Sequence, residues 1–201
     1  MIKFPSKFFY ISILPSAILY LAILYVSNSY NIKLSLVVRD LAQTCGYPIG
    51  VGMISNIGIL LWGAAASICL FTTFSGAINR ESSKLLFVGG GFSGLLCIDD
   101  FFLLHDRYIG QDFLNLTYLA ISIFLLVRFR RILKLIGFFN LVISILFLGL
   151  SVFFDGVIQQ IFNQSYELTQ LIEEGFKFLG IICWLNFWCK ASNYALKFSN
   201  F

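Results

Sequence analysis

Charge is scarce in this chain: Asp, Glu, Lys and Arg make up 12% of its 201 residues, about half the share of a soluble domain. Histidine is scarcer still. The single one, His105, excludes a three-histidine zinc centre and bis-histidine haem ligation. Five cysteines (Cys45, Cys69, Cys97, Cys183 and Cys189) form no CxxC pair, which argues against a thiol relay. Only three prolines interrupt the chain, so long apolar runs pass almost unbroken.

What is present is hydrophobic: 59% of residues, with 23 Phe and a mean hydropathy of +0.87. Six segments are long enough to cross a ~30 Å hydrocarbon core at ~1.5 Å per residue, the fourth being the shortest. They are Phe8–Val26, Pro48–Phe74, Lys84–His105, Phe113–Phe129, Ile132–Phe154 and Glu173–Leu196. The first has no clear cleavage site and is read as retained. The expected fold is therefore all-α: a polytopic membrane helix bundle of six transmembrane helices in a single domain over residues 1–201. Between the first two crossings, Leu34, Val37, Val38 and Leu41 fall at helical spacing opposite Arg39 and Asp40. That pattern suits a short interfacial helix, and an ordered loop fits equally well.

The few charges are sorted. Lys3, Lys7, Arg80, Lys84, Arg128, Arg130, Arg131, Lys134, Lys190 and Lys197 all fall on one side of the six segments, with Glu81 as the one acid. The positive-inside rule makes this side cytoplasmic and places both termini there. The expected setting is the plasma (inner) membrane of a bacterium, with the acidic residues on the extracytoplasmic side. Membrane lipids are the expected surroundings, a homo-oligomer or larger membrane complex fits as well, and nucleic acid is not expected as a partner.

Nine acids lie on the opposite side, and several fall inside the apolar segments rather than in loops. Charge at membrane depth is costly and marks function. Asp99 and Asp100 lie about one and a half turns inside the end of the third segment, on different helical faces, and so demand two separate environments. His105 and Asp106 follow at the segment's mouth. Asn140, Ser144, Ser151 and Asp155 form one polar stripe along the fifth segment. Glu173, Glu174 and Lys177 open the sixth, and Ser55 and Asn56 lie near the outer end of the second. Polar stripes on membrane helices face the bundle interior, so these residues point to a polar cavity walled by segments two, three, five and six. The candidate lining is Asn56, Asp99, Asp100, His105, Asp106, Asp155, Glu173, Glu174 and Lys177. Each has a plainer reading: Glu173 and Lys177 at i, i+4 make an ordinary intrahelical pair, Glu174 caps a helix start, and a Ser/Asn stripe glues helices.

Several known chemistries can be tested. Gly91-Phe92-Ser93-Gly94 resembles the serine motif of rhomboid-type intramembrane proteases. Their base is a histidine on another helix, whereas His105 is twelve residues from Ser93 on the same one, about 18 Å at ~1.5 Å per residue. The glycines read better as a close-packing Gly90/Gly94 pair. Glu173-Glu174 faintly resembles the paired glutamates of CAAX-type membrane proteases, which need further histidines that this chain lacks. The histidine count also removes the zinc set of alkaline ceramidases and adiponectin-receptor-like hydrolases.

Three functions remain. Clustered carboxylates beside a histidine are material for proton or cation transport, or ion-coupled transport. Alternatively, a divalent cation (Ca, Mg, Mn or Zn) held by Asp99, Asp100, Asp106, Asp155 and Glu173, with His105 as proton shuttle, would suit a hydrolase or transferase acting on a lipid. The third is an accessory subunit whose acids meet a partner's basic residues.

Overall fold

The computed structural model describes residues 14–37, 44–48, 50–75, 78–154 and 166–198. Among them all regular structure is helical. The chain divides into two compact units, Met1–Val51 and Gly52–Phe201.

The first unit contains α1, Leu14–Ser29, and the short α2, Leu34–Val37. α1, 16 residues long and mostly apolar, covers the second part of the first predicted crossing. α2 lies at the start of the predicted interfacial helix; Val38, Arg39, Asp40 and Leu41 fall outside the described residues.

The second unit holds α3 (Met53–Phe74), α4 (Arg80–Phe102), α5 (Leu104–Arg107), α6 (Gln111–Arg128), α7 (Arg130–Ile136), α8 (Phe139–Phe153) and α9 (Tyr166–Lys197). α3, α4 and α6 are each long and apolar enough to cross a membrane, and α7 with α8 counts as a fourth only as a bent pair. The predicted fifth crossing, Ile132–Phe154, is thus not one straight helix. It bends by 107° at Gly137, whose left-handed φ of 91° ends α7, a conformation glycine adopts without steric penalty. α9 runs 32 residues and begins before the predicted Glu173.

Local chemistry sets the helix ends. The Asn79 side chain accepts from the backbone N–H groups of Glu81 and Ser82, capping α4. Glu81 in that first turn meets Lys84 at 3.0 Å and Arg128 of α6 at 3.3 Å. At its other end α4 stops at Leu103, whose φ of 53° is left-handed and rare for a residue with a Cβ.

The core forms where α9 packs between α3 and α8, with α4 alongside α3. Trp184, Phe187 and Trp188 of α9 are buried together with Cys69, Leu85 and Leu86. Small residues permit this closeness. A Cβ on Gly90 would lie 3.0 Å from Cys69 Cβ, so the Gly90/Gly94 pair does bring α4 against α3. Gly89 accepts the Trp188 ring where any Cβ would overlap it.

Candidate functional site

The left-handed residue Leu103 turns the chain back so that α5 folds over the end of α4. Asp99 exploits this turn. Its Oδ1 accepts the backbone N–H of His105 at 2.9 Å and lies 3.0 Å from His105 Nδ1. Oδ2 accepts the Tyr118 hydroxyl at 2.7 Å. A straight-helix projection puts His105 on a separate face from Asp99; the break at Leu103 is what joins them. Asp99 is 4% exposed, the one charged residue that is buried among the described residues, and its multiple donors offset the cost of that burial.

Asp100, one residue on, has different partners. Lys177 Nζ of α9 donates to Oδ1 at 2.8 Å, and Trp62 Nε1 of α3 donates to Oδ2 at 3.0 Å. The two neighbouring acids do occupy separate environments: one ties α4 to α5 and α6, the other ties it to α3 and α9. Lys177 therefore serves as the cation for Asp100, rather than only as an intrahelical partner for Glu173.

These groups form the polar end of a cavity of about 490 Å³. Glu173 and Asp112 also line it. Its side wall is largely apolar, with Leu116, Leu119, Ile145, Leu148 and Val152, and carries Asn115, Ser122 and Ser151 among them. Its floor is aromatic: Trp62, Phe92 and Trp184 are 2%, 5% and 1% exposed, with Trp184 edge-on to both other rings at 5.7 and 5.4 Å. Trp184 Nε1 donates to Ser93 Oγ, which itself donates to the Gly89 carbonyl. Ser93 is therefore engaged in holding the floor. Beyond it stand Trp188, Phe187 and Leu86, all fully buried.

Not every sequence candidate joins this cavity. Asp99, Asp100, His105, Glu173 and Lys177 line it, as does Ser151; Asn56 and Glu174 do not. Asn56 is exposed in the first turn of α3. Asp155 and the side chain of Asp106 lie outside the described residues. The polar stripe of the fifth segment divides in function. Asn140 donates to Asn186 Oδ1 and Ser144 to the Gly180 carbonyl, so its lower part fastens α8 to α9. Of the expected metal set, Asp99 and Asp100 come together, joined by His105, with one ligand atom from each within 4.8 Å of the others. A divalent ion there would compete with the Lys177 ammonium already on Asp100.

The fourth segment is the wall that sequence reasoning missed. Gln111, Asn115, Tyr118 and Ser122 of α6 all line the cavity. Their spacing of i, i+4, i+7 and i+11 is a helical stripe, the same signal as on the fifth segment. Trp62, in contrast, sits in an apolar run with nothing nearby in sequence to mark its N–H as a ligand for Asp100.

No curated protein and no solved structure matches the chain. Residues 14–191, which carry every side chain of the cavity, match one family, and the chain belongs to it: Domain of unknown function (DUF8692).

Proposed function

We propose that the protein is a multi-pass membrane protein whose cavity receives the polar head of an amphiphile, and that the cavity's acid–histidine end makes it a hydrolase or transferase on that head. One observation carries this reading. A charged end and a largely apolar side wall stand over a floor closed by Trp62, Phe92 and Trp184. A pocket of that form suits a head and the start of a tail; a conduction path would need the aromatic floor to open.

Six crossings with cytoplasmic termini fit the same picture. The Glu81–Arg128 contact draws the α4 start and the α6 end together, so Arg80, Lys84, Arg128 and Arg130 cluster at the end of the bundle away from the acids. The bend at Gly137 lets the basic α7 lie along the membrane surface. In this reading the acids face the extracytoplasmic side.

The head is best an amine-bearing one. Asp99, Asp100, Asp112 and Glu173 line the cavity against Lys177 and His105, and the Trp62, Trp184 and Tyr118 rings add faces that attract ammonium groups. Acid–base chemistry is available as well. The neutral His105 tautomer that donates Nδ1–H to Asp99 would carry its lone pair on Nε2, the arrangement that orients a general base.

All three tryptophans (Trp62, Trp184 and Trp188) lie at the floor or directly behind it, so a ligand with a brominated acyl chain should quench their fluorescence. Lysophosphatidylethanolamine is expected to quench saturably in nanodiscs, far more than lysophosphatidylglycerol of equal chain length, and to lose its advantage in Asp100→Asn. Release of a headgroup or acyl product that stops in His105→Gln would establish the reaction. Equal quenching by both lipids overturns the headgroup assignment, and an unchanged lipid after prolonged incubation overturns the enzyme.

A second reading, proton- or ion-coupled transport, is supported by the hydrogen-bonded series Tyr118–Asp99–His105. It requires the aromatic floor to open. Liposome flux that is abolished by Asp99→Asn would favour it; flux indifferent to both Asp99→Asn and Asp100→Asn removes it.

A further inference from the structure

α4 and α6 are tied at two levels. At one end Glu81 meets Arg128 at 3.3 Å, and at the other Tyr118 donates to Asp99 at 2.7 Å. Between these ties the helices separate, leaving a second cavity of about 440 Å³. Val88, Gly91 and Leu95 line it from α4, and Ala120, Ile121 and Phe124 from α6. No lining residue carries a polar side chain. The gap follows from side-chain size, since Gly91 and Ala120 offer almost nothing to fill it. A Cβ placed on Gly91 meets no atom within 4 Å.

Both helices are long and apolar enough to cross a membrane, so a groove at the middle of their span opens onto hydrocarbon. One residue separates it from the polar cavity. Phe92 lines both, and its ring packs on Tyr118 at 5.9 Å and Trp184 at 5.4 Å. Asp99 lies seven residues beyond Phe92, about 10 Å along the helix at ~1.5 Å per residue. A chain whose head sits at Asp99 and Asp100 would therefore reach the groove by displacing the Phe92 ring, which is 5% exposed.

We propose that the α4–α6 groove is the acyl-chain site for the amphiphile whose head occupies the cavity, with Phe92 as the partition between them and the bilayer as the side of entry. The inference rests on the amphiphile reading of the cavity. It adds the ligand class, a lipid with a long chain, and the passage by which it enters.

Gly91→Leu tests it cleanly. The new side chain enters open space, and replacing a mid-helix glycine should preserve or raise stability, which thermal unfolding in nanodiscs verifies. Binding is read by tryptophan quenching with brominated lysophosphatidylethanolamines of short (hexanoyl) and long (palmitoyl) chain. The short-chain probe should bind wild type and Gly91→Leu alike. The long-chain probe should bind the variant about tenfold more weakly, the loss of roughly two buried methylenes. Phe92→Ala, which removes the partition, should speed long-chain association without changing the short-chain rate. Long-chain affinity unchanged in Gly91→Leu, or both chains weakened equally, overturns the groove assignment while leaving the cavity reading intact. Binding of neither probe to wild type sinks the cavity reading itself. A change in oligomeric state of Gly91→Leu without altered chain-length selectivity would give the groove to a second copy of the chain and overturn the proposal.

Discussion

Removing the Lys177 ammonium should destabilise the second unit more than removing the Asp100 charge. In Lys177→Met the methylenes remain and the cation is lost, leaving the Asp100 carboxylate, 11% exposed, with Trp62 as its hydrogen-bond donor. Two unit charges about 4 Å apart attract by about 4 kcal/mol at an effective dielectric near 20. Desolvation offsets much of that in the intact pair, but deleting one partner strands the other, at roughly 3 kcal/mol for a well-buried pair. Lys177 is 25% exposed at its side chain, so water recovers part of the loss and about 2 kcal/mol is expected. Asp100→Asn should cost less, about 1 kcal/mol: the amide oxygen still accepts from Trp62, and the flexible Lys177 stem can carry its charge toward water. The double variant removes both charges and should resemble Asp100→Asn alone, a coupling of about 1–2 kcal/mol. Equilibrium unfolding in mixed micelles, followed by tryptophan fluorescence, measures all three. Costs that add within about 0.5 kcal/mol would show that the 2.8 Å contact is energetically idle and refute the reasoning.

Other perturbations separate the remaining parts. Tyr118→Phe deletes a donor to the buried Asp99 and should cost about 2 kcal/mol while shifting the His105 ring resonances in an NMR titration; an unmoved histidine spectrum would mean the two groups are uncoupled. Gly180→Ala should cost about 1–3 kcal/mol, because its Cβ would lie 2.8 Å from Leu148 Cγ and 3.2 Å from the Leu148 backbone N. Gly175→Ala on the same helix meets nothing within 4 Å and should stabilise by about 0.5–1 kcal/mol; equal costs at the two glycines would contradict the packing described. Lys177→Ala should bind Zn²⁺ or Mn²⁺ by calorimetry at least tenfold more tightly than wild type, since Asp100 Oδ1 is then released beside Asp99 and His105. Identical affinities would place any bound ion elsewhere.

Hydrophobic runs and the depth of Asp99 and Asp100 announced helices and a site before any coordinates, because helical periodicity and the cost of buried charge are written residue by residue. The demand for two separate environments at those neighbouring acids was legible for the same reason. What was not legible depends on breaks in the helices. A left-handed leucine at Leu103 has no sequence signature, yet it alone returns His105 to Asp99. Gly137 is one small residue in an apolar run, yet α7 bends from α8 there by 107°. The Gln111/Asn115/Tyr118/Ser122 stripe contains no charged residue, so the cost of buried charge does not mark it. Asn56 illustrates the opposite error: it lies near the correct end of its helix but in the first turn, whereas the tryptophan that reaches Asp100 is six residues deeper.

The two ties between α4 and α6 differ in kind. Glu81 and Arg128 are 50% and 47% exposed at their side chains, so that fastening is weak and weakens further with salt. The Tyr118–Asp99 bond is sheltered and charge-assisted, and ionic strength barely reaches it. Leu125 of α6 and Phe129 just past it, 0% and 4% exposed, hold that basic end in the core, so raising the salt concentration should remove the Glu81–Arg128 contact without parting α6 from the bundle.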